Sequence, residues 1–98
     1  MAAYTASMIK TFKNKALAAL WSSGKSRIDK RMHRRILIRL AVINEAARIE
    51  DIKLPGYNFH GLQGFDPKRY SVHVNGPWCL TFEFEDGDAY GVELEQYH

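Results

Sequence analysis

The chain has 98 residues, 46% apolar and 12% aromatic, enough for one modest core and too little for two. No apolar run reaches membrane-spanning length and no signal-peptide pattern opens the chain, so neither a membrane helix nor a secretory leader is expected; the lone cysteine excludes an internal disulfide framework and fits a reducing cytosol. The net charge of +3 hides an asymmetry: all 14 Lys and Arg lie at or before Arg69 with five acids, and six acids follow. Segregation of this kind predicts one face made for a polyanion, the plain alternative being two solvated faces of opposite sign.

Residues 1–7 are small and polar and are expected to be an extension of a single domain over 8–98. Met8 to Phe12 alternates apolar and polar, as a first strand does. Asn14 can cap a helix over Lys15 to Ser23, with Leu17, Leu20 and Trp21 buried and Gly24 closing it. A second helix is predicted from Asp29 to Ala47, its apolar stripe formed by Met32, Ile36, Leu40, Ile43 and Ala47.

That helix is also strongly basic. Lys30, Arg31, Arg34, Arg35 and Arg39 face only Asp29 as a nearby acid, and Arg31, Arg35 and Arg39 share a side. Like charges four residues apart cost roughly a few tenths of a kcal/mol per pair, so a compensating partner is expected. A phosphate backbone meets that need by counterion release; an acidic protein or ordinary solvation would also serve.

Leu54-Pro55-Gly56 makes a turn, Tyr57 to Leu62 is a predicted strand, and Gly64 to Lys68 a loop. Arg69 to Val74 forms the next strand, Asn75-Gly76-Pro77 turns it, and Trp78, Leu80, Phe82 and Phe84 alternate with polar residues along the following one. Asp86-Gly87 is a strong hairpin signal, and Tyr90, Val92 and Leu94 resume the alternation. The order β-α-α-β-β-β-β predicts an α+β fold: two N-terminal helices on one face of a mixed, mostly antiparallel sheet of four to five strands. The opposite face is expected to be open and to carry Ser71, His73, Cys79, Thr81 and Glu83.

No His or Cys spacing suits a metal, and no phosphate-cradling glycine loop occurs, so no cofactor is expected. A nucleophilic pair of Cys79 with His73 or His98 is the weaker chemistry, because a lone strand cysteine is more often inert. Acid–base work by His60 and His98, with Tyr97 beside them, is more physical, since imidazoles titrate near neutrality. RNA cleavage without a metal needs that pair, one base for the 2′-hydroxyl and one acid for the leaving 5′-oxygen. The plain alternative makes His60 a strand residue and His98 a frayed end.

Met8-Ile-Lys-Thr-Phe, Leu54-Pro-Gly-Tyr, His60-Gly-Leu-Gln-Gly64, Tyr70-Ser-Val-His-Val-Asn75, the run from Trp78 to Tyr90 and the terminal Tyr97-His98 together resemble HigB toxins of the RelE/ParE superfamily. The resemblance covers residues 8–98. It implies a RelE-like, microbial-ribonuclease-like fold and a cytoplasmic toxin of a type II toxin–antitoxin pair that cleaves mRNA in the ribosome. It also implies a HigA-like helix-turn-helix antitoxin as partner, and ribosomal RNA under the basic helix. His60 matches the family's upstream histidine, and Tyr97 and His98 its terminal pair. Three positions depart: Cys79 replaces an arginine expected at the scissile phosphate, Gln63 a lysine and Gln96 an acid. These departures imply a weakened enzyme, a detoxified variant in which Cys79 is not the native residue, or a non-catalytic binding module on the same fold, such as an antitoxin-binding homologue or a gyrase-type inhibitor.

Overall fold

The computed structural model describes residues 8–97; the expected extension over residues 1–7 and the terminal His98 lie outside the described residues. The chain runs β1 (Met8–Ile9), α1 (Lys15–Ser23), α2 (Lys30–Glu45), a 3-10 turn (Ile49–Ile52), β2 (His60–Leu62), β3 (Arg69–Asn75), β4 (Trp78–Glu85) and β5 (Asp88–Gln96).

Local chemistry sets the helix ends. The side chain of Asn14 accepts from the Leu17 amide at 3.0 Å, and Gly24 closes α1 in the left-handed region with φ 75°. Only glycine adopts that region without a Cβ penalty. Asp29 caps α2 by accepting from the Arg31 amide at 2.9 Å, so it precedes the helix rather than opening it. The helix also stops earlier than its spacing predicts. Ala46 is its extended C-cap and is buried, whereas Ala47, placed in the stripe by spacing, is exposed. The 3-10 turn that follows has no signal in the local pattern; it inserts Ile52 into the core.

The five strands form one sheet in the order β1-β5-β4-β3-β2. Neighbours are antiparallel except β1, which lies parallel to β5, so the first strand sits beside the last. β1 is shorter than its alternation suggests, and Phe12 adds only an isolated bridge to Val92. The β4–β5 turn puts Asp86 and Gly87 at φ 52° and 83°, the double positive-φ pair that an Asp-Gly hairpin requires.

Both helices pack on one face. Leu17, Leu20, Met32, Ile36, Leu40 and Ile43 meet Val72, Val74, Leu80, Phe82, Ala89 and Val92, all buried. β2 keeps only three of the six residues expected of it, because Tyr57 and Phe59 turn into the core ahead of the ladder. Beyond Ser71 the outer edge of β3 therefore has no partner strand, only one backbone bond, from the His73 amide to the Tyr57 carbonyl at 2.6 Å. Helix α2 covers it: Arg39 Nε donates to the His73 carbonyl at 2.6 Å and Arg35 Nη1 to the Val74 carbonyl at 3.2 Å. Covering an edge in this way removes a template for unwanted strand pairing.

Candidate functional site

Strand register assembles the helix-free face. His60 lies opposite Ser71, Ser71 opposite Thr81, and Thr81 opposite Glu93, so the four form one row across the sheet. The next row toward the β3–β4 turn holds His73, Cys79 and Glu95. On the other side lies the row of Leu62, Arg69 and Glu83.

This face is drier than expected. Ser71, Cys79 and Thr81 are buried although no helix covers them. Over Thr81 lies a polar lattice built by Arg69, which is 4% exposed. Its Nη2 donates to Gly91 O at 2.8 Å and to Thr81 Oγ1 at 3.2 Å, while Nη1 pairs with Glu83 Oε2 at 3.3 Å. The Thr81 hydroxyl donates its own proton to Glu95 Oε2 in a short hydrogen bond, so one hydroxyl links cation and carboxylate. Sequence spacing gives Arg69 no role. Its one available signal is the strand alternation that puts it on the side of Ser71.

His60 is exposed, and its Nδ1 lies 2.7 Å from the Asn58 carbonyl. A carbonyl only accepts, so this contact makes Nδ1 the protonated nitrogen and leaves the Nε2 lone pair for proton exchange. Tyr97 is 36% exposed and tied by its amide to the Pro77 carbonyl at 2.8 Å. β3 and β4 stand between β2 and β5, and His60 is in register with Glu93. The end of β5 therefore lies three strand spacings, about 14 Å, across the sheet from His60 and a further three residues, about 10 Å, along it. The face holds both, yet an RNA strand rather than a direct contact would have to bridge them.

The substituted positions separate in space. Cys79 lies on the face opposite His73, and burial, then the Glu95 carboxylate, pushes its thiol pKa up. Of its two expected histidine partners, His73 is engaged elsewhere, its Nε2 2.9 Å from Gly76 O, and His98 lies outside the described residues. A thiol held protonated is a poor nucleophile. Gln96 pairs with Trp78, on the helix-bearing side, and Gln63 is exposed just beyond β2.

The basic helix also divides. Lys30 and Arg34 are exposed, and Arg31 forms an exposed ion pair with Asp29 at 2.7 Å, which lowers the Asp29 carboxyl pKa to about 2. Arg39 is half-buried, stacked 4.4 Å over the Tyr57 ring, and with Arg35 is committed to β3 carbonyls. Among the described residues, no group of three or more His, Cys, Asp or Glu side chains is placed to hold a metal, and no helix is long and apolar enough to cross a membrane.

Two helices on one face of a small, mostly antiparallel sheet, with a histidine and a C-terminal tyrosine on the other, define a RelE-like architecture. The sequence profile of the HigB-like toxins, RelE-like toxins of type II toxin–antitoxin systems, matches residues 10–98, and the chain belongs to that family. It is 37% identical over 92 residues to Endoribonuclease HigB of Proteus vulgaris, covering 93% of this chain and all of the relative. An uncharacterized protein of Haemophilus influenzae is 27% identical over 75 residues, covering 74% of this chain and 72% of that protein.

Proposed function

We propose that this toxin is a ribosome-dependent mRNA endoribonuclease of the cytoplasm, neutralised by a HigA-like helix-turn-helix antitoxin. His60 and His98 share the acid–base roles: the base takes the 2′-hydroxyl proton as the 2′-oxygen attacks phosphorus, and the acid protonates the departing 5′-oxygen. Tyr97 orients or stacks a base. Lys30, Arg31 and Arg34 meet ribosomal RNA, with Arg35 and Arg39 behind them holding the strand edge. The observation that carries this reading is His60, exposed on the helix-free face with its Nδ1 proton fixed and Nε2 left for proton transfer.

Cleavage is expected to be slow. The face carries Glu83, Glu93 and Glu95, and Cys79 stands where the family's phosphate-holding arginine would. Losing one such donor costs about 10²–10³ in rate. The test is mRNA cleavage on programmed ribosomes by this chain and by Cys79→Arg. The variant, its guanidinium facing Glu95, should cleave about 10²-fold faster. If neither cleaves, the nuclease reading is wrong.

The same carboxylates favour a second reading, a binding module without cleavage, whether antitoxin-binding or inhibiting a gyrase-type target. Growth inhibition that persists in a chain ending at Gln96 would favour that module.

A further inference from the structure

On the helix-bearing side of β2, beneath the 3-10 turn, lies an open cavity of about 690 Å³. Its size falls within the range of small-ligand sites, about 300–1,000 Å³. The floor is aromatic: the rings of Phe59 and Tyr70 stack with centroids 5.4 Å apart. Two ammonium groups stand over it, Lys53 Nζ at 5.6 Å from the Phe59 centroid and Lys68 Nζ at 5.9 Å from that of Tyr70. Gly61 makes room for the second, since a Cβ there would lie 2.8 Å from Lys68 Cε. Asn58 adds an exposed amide, and no carboxylate lines the cavity.

Aromatic floor, paired cations and an amide match the parts of a nucleotide: base, phosphate and hydrogen-bonding edge. The helix-free face offers the opposite, with three carboxylates among its cations. We propose that this cavity is a nucleotide subsite, in which an unpaired base of the cleaved RNA strand stacks on Phe59 and Tyr70 and its phosphate meets Lys53 and Lys68. The lysine–ring contacts do not block it, because an exposed cation–π contact is weaker than base stacking. β2 is the edge strand, and His60 sits between Phe59 and Gly61. An RNA strand passing round that edge therefore has one nucleotide anchored in the cavity and the next beside the histidine. The cavity's cations would hold the strand at the sheet edge, on the other side from Cys79. This rests on the RNA-cleaving reading and deepens it.

The test separates the two. The isotopically labelled full chain is titrated with adenosine 5′-monophosphate, ribose 5-phosphate and inorganic phosphate, following amide shifts. Binding of a short single-stranded RNA is then measured for the wild type, Phe59→Leu and the double variant Lys53→Ala, Lys68→Ala. The nucleotide should shift the amides of Asn58, Phe59, Gly61 and Tyr70, with ribose 5-phosphate binding more weakly. Phe59→Leu should weaken RNA binding about tenfold. The lysine variant should flatten the salt dependence by about 0.7 for each phosphate it no longer neutralises. Equal shifts from inorganic phosphate would reduce the cavity to an anion site, and the oligonucleotide binding no tighter than the free nucleotide would reduce it to a mononucleotide site; either overturns the proposal. RNA binding unchanged in both variants overturns it while leaving the nuclease reading intact. A nucleotide-filled cavity in a chain that never cleaves overturns it together with that reading, since no strand is then cut.

Discussion

Cys79 is the position where a single residue decides most. Burial keeps its thiol protonated, so alkylation of the folded chain should lag that of a model peptide thiol near the ordinary thiol pKa, about pH 8.5. Folding here holds the proton on, and stability should fall as pH rises through that range. Alkylation at the peptide's rate would show that Glu95 and the surrounding sheet do not shield it. Arg69 is the second such position. Arg69→Ala would strand Glu83 and leave the Gly91 carbonyl and Thr81 hydroxyl without their donor, a loss of about 3–5 kcal/mol by urea denaturation. Gly91 itself stands at φ 58° with Arg69 Nη1 3.2 Å from where a Cβ would be, so both conformation and crowding require glycine.

At the scale of elements, helix α2 has two functions along its length. Its first turns present Lys30, Arg31 and Arg34 to solvent; its middle bonds β3 carbonyls that β2 does not reach. Arg39→Ala should therefore cost about 2 kcal/mol of stability, the worth of a charge-assisted hydrogen bond, whereas Arg34→Ala should stay within about 0.5 kcal/mol. Equal stability of the two variants would mean that the β3 edge does not need its arginine. The charge run alone could not show this division. Periodicity says which residues share a side of a helix, but not that a short β2 leaves carbonyls within reach of two of them.

For the whole molecule, the β5 ladder ends at Gln96, and Tyr97 adds one amide contact to Pro77. A chain ending at Gln96 should keep its melting temperature within a few degrees, by the rule that about 1 kcal/mol shifts it roughly 4–8 °C, and should lose cleavage. A collapse of the fold would make the terminus structural instead. Two helices on a mostly antiparallel sheet, the Asn14 and Gly24 caps, the Asp-Gly hairpin and the core stripe from Met32 to Ile43 were legible from sequence, because each depends on neighbours a few residues away. His60 and Cys79 could be singled out by residue type and resemblance. Long-range geometry decided the rest: the parallel pairing of first and last strands, the truncated β2, the Arg69–Thr81–Glu95 lattice on the helix-free face, and the lysine-framed cavity behind His60. Those features join side chains brought together by register and packing, and no local periodicity carries the distance between them.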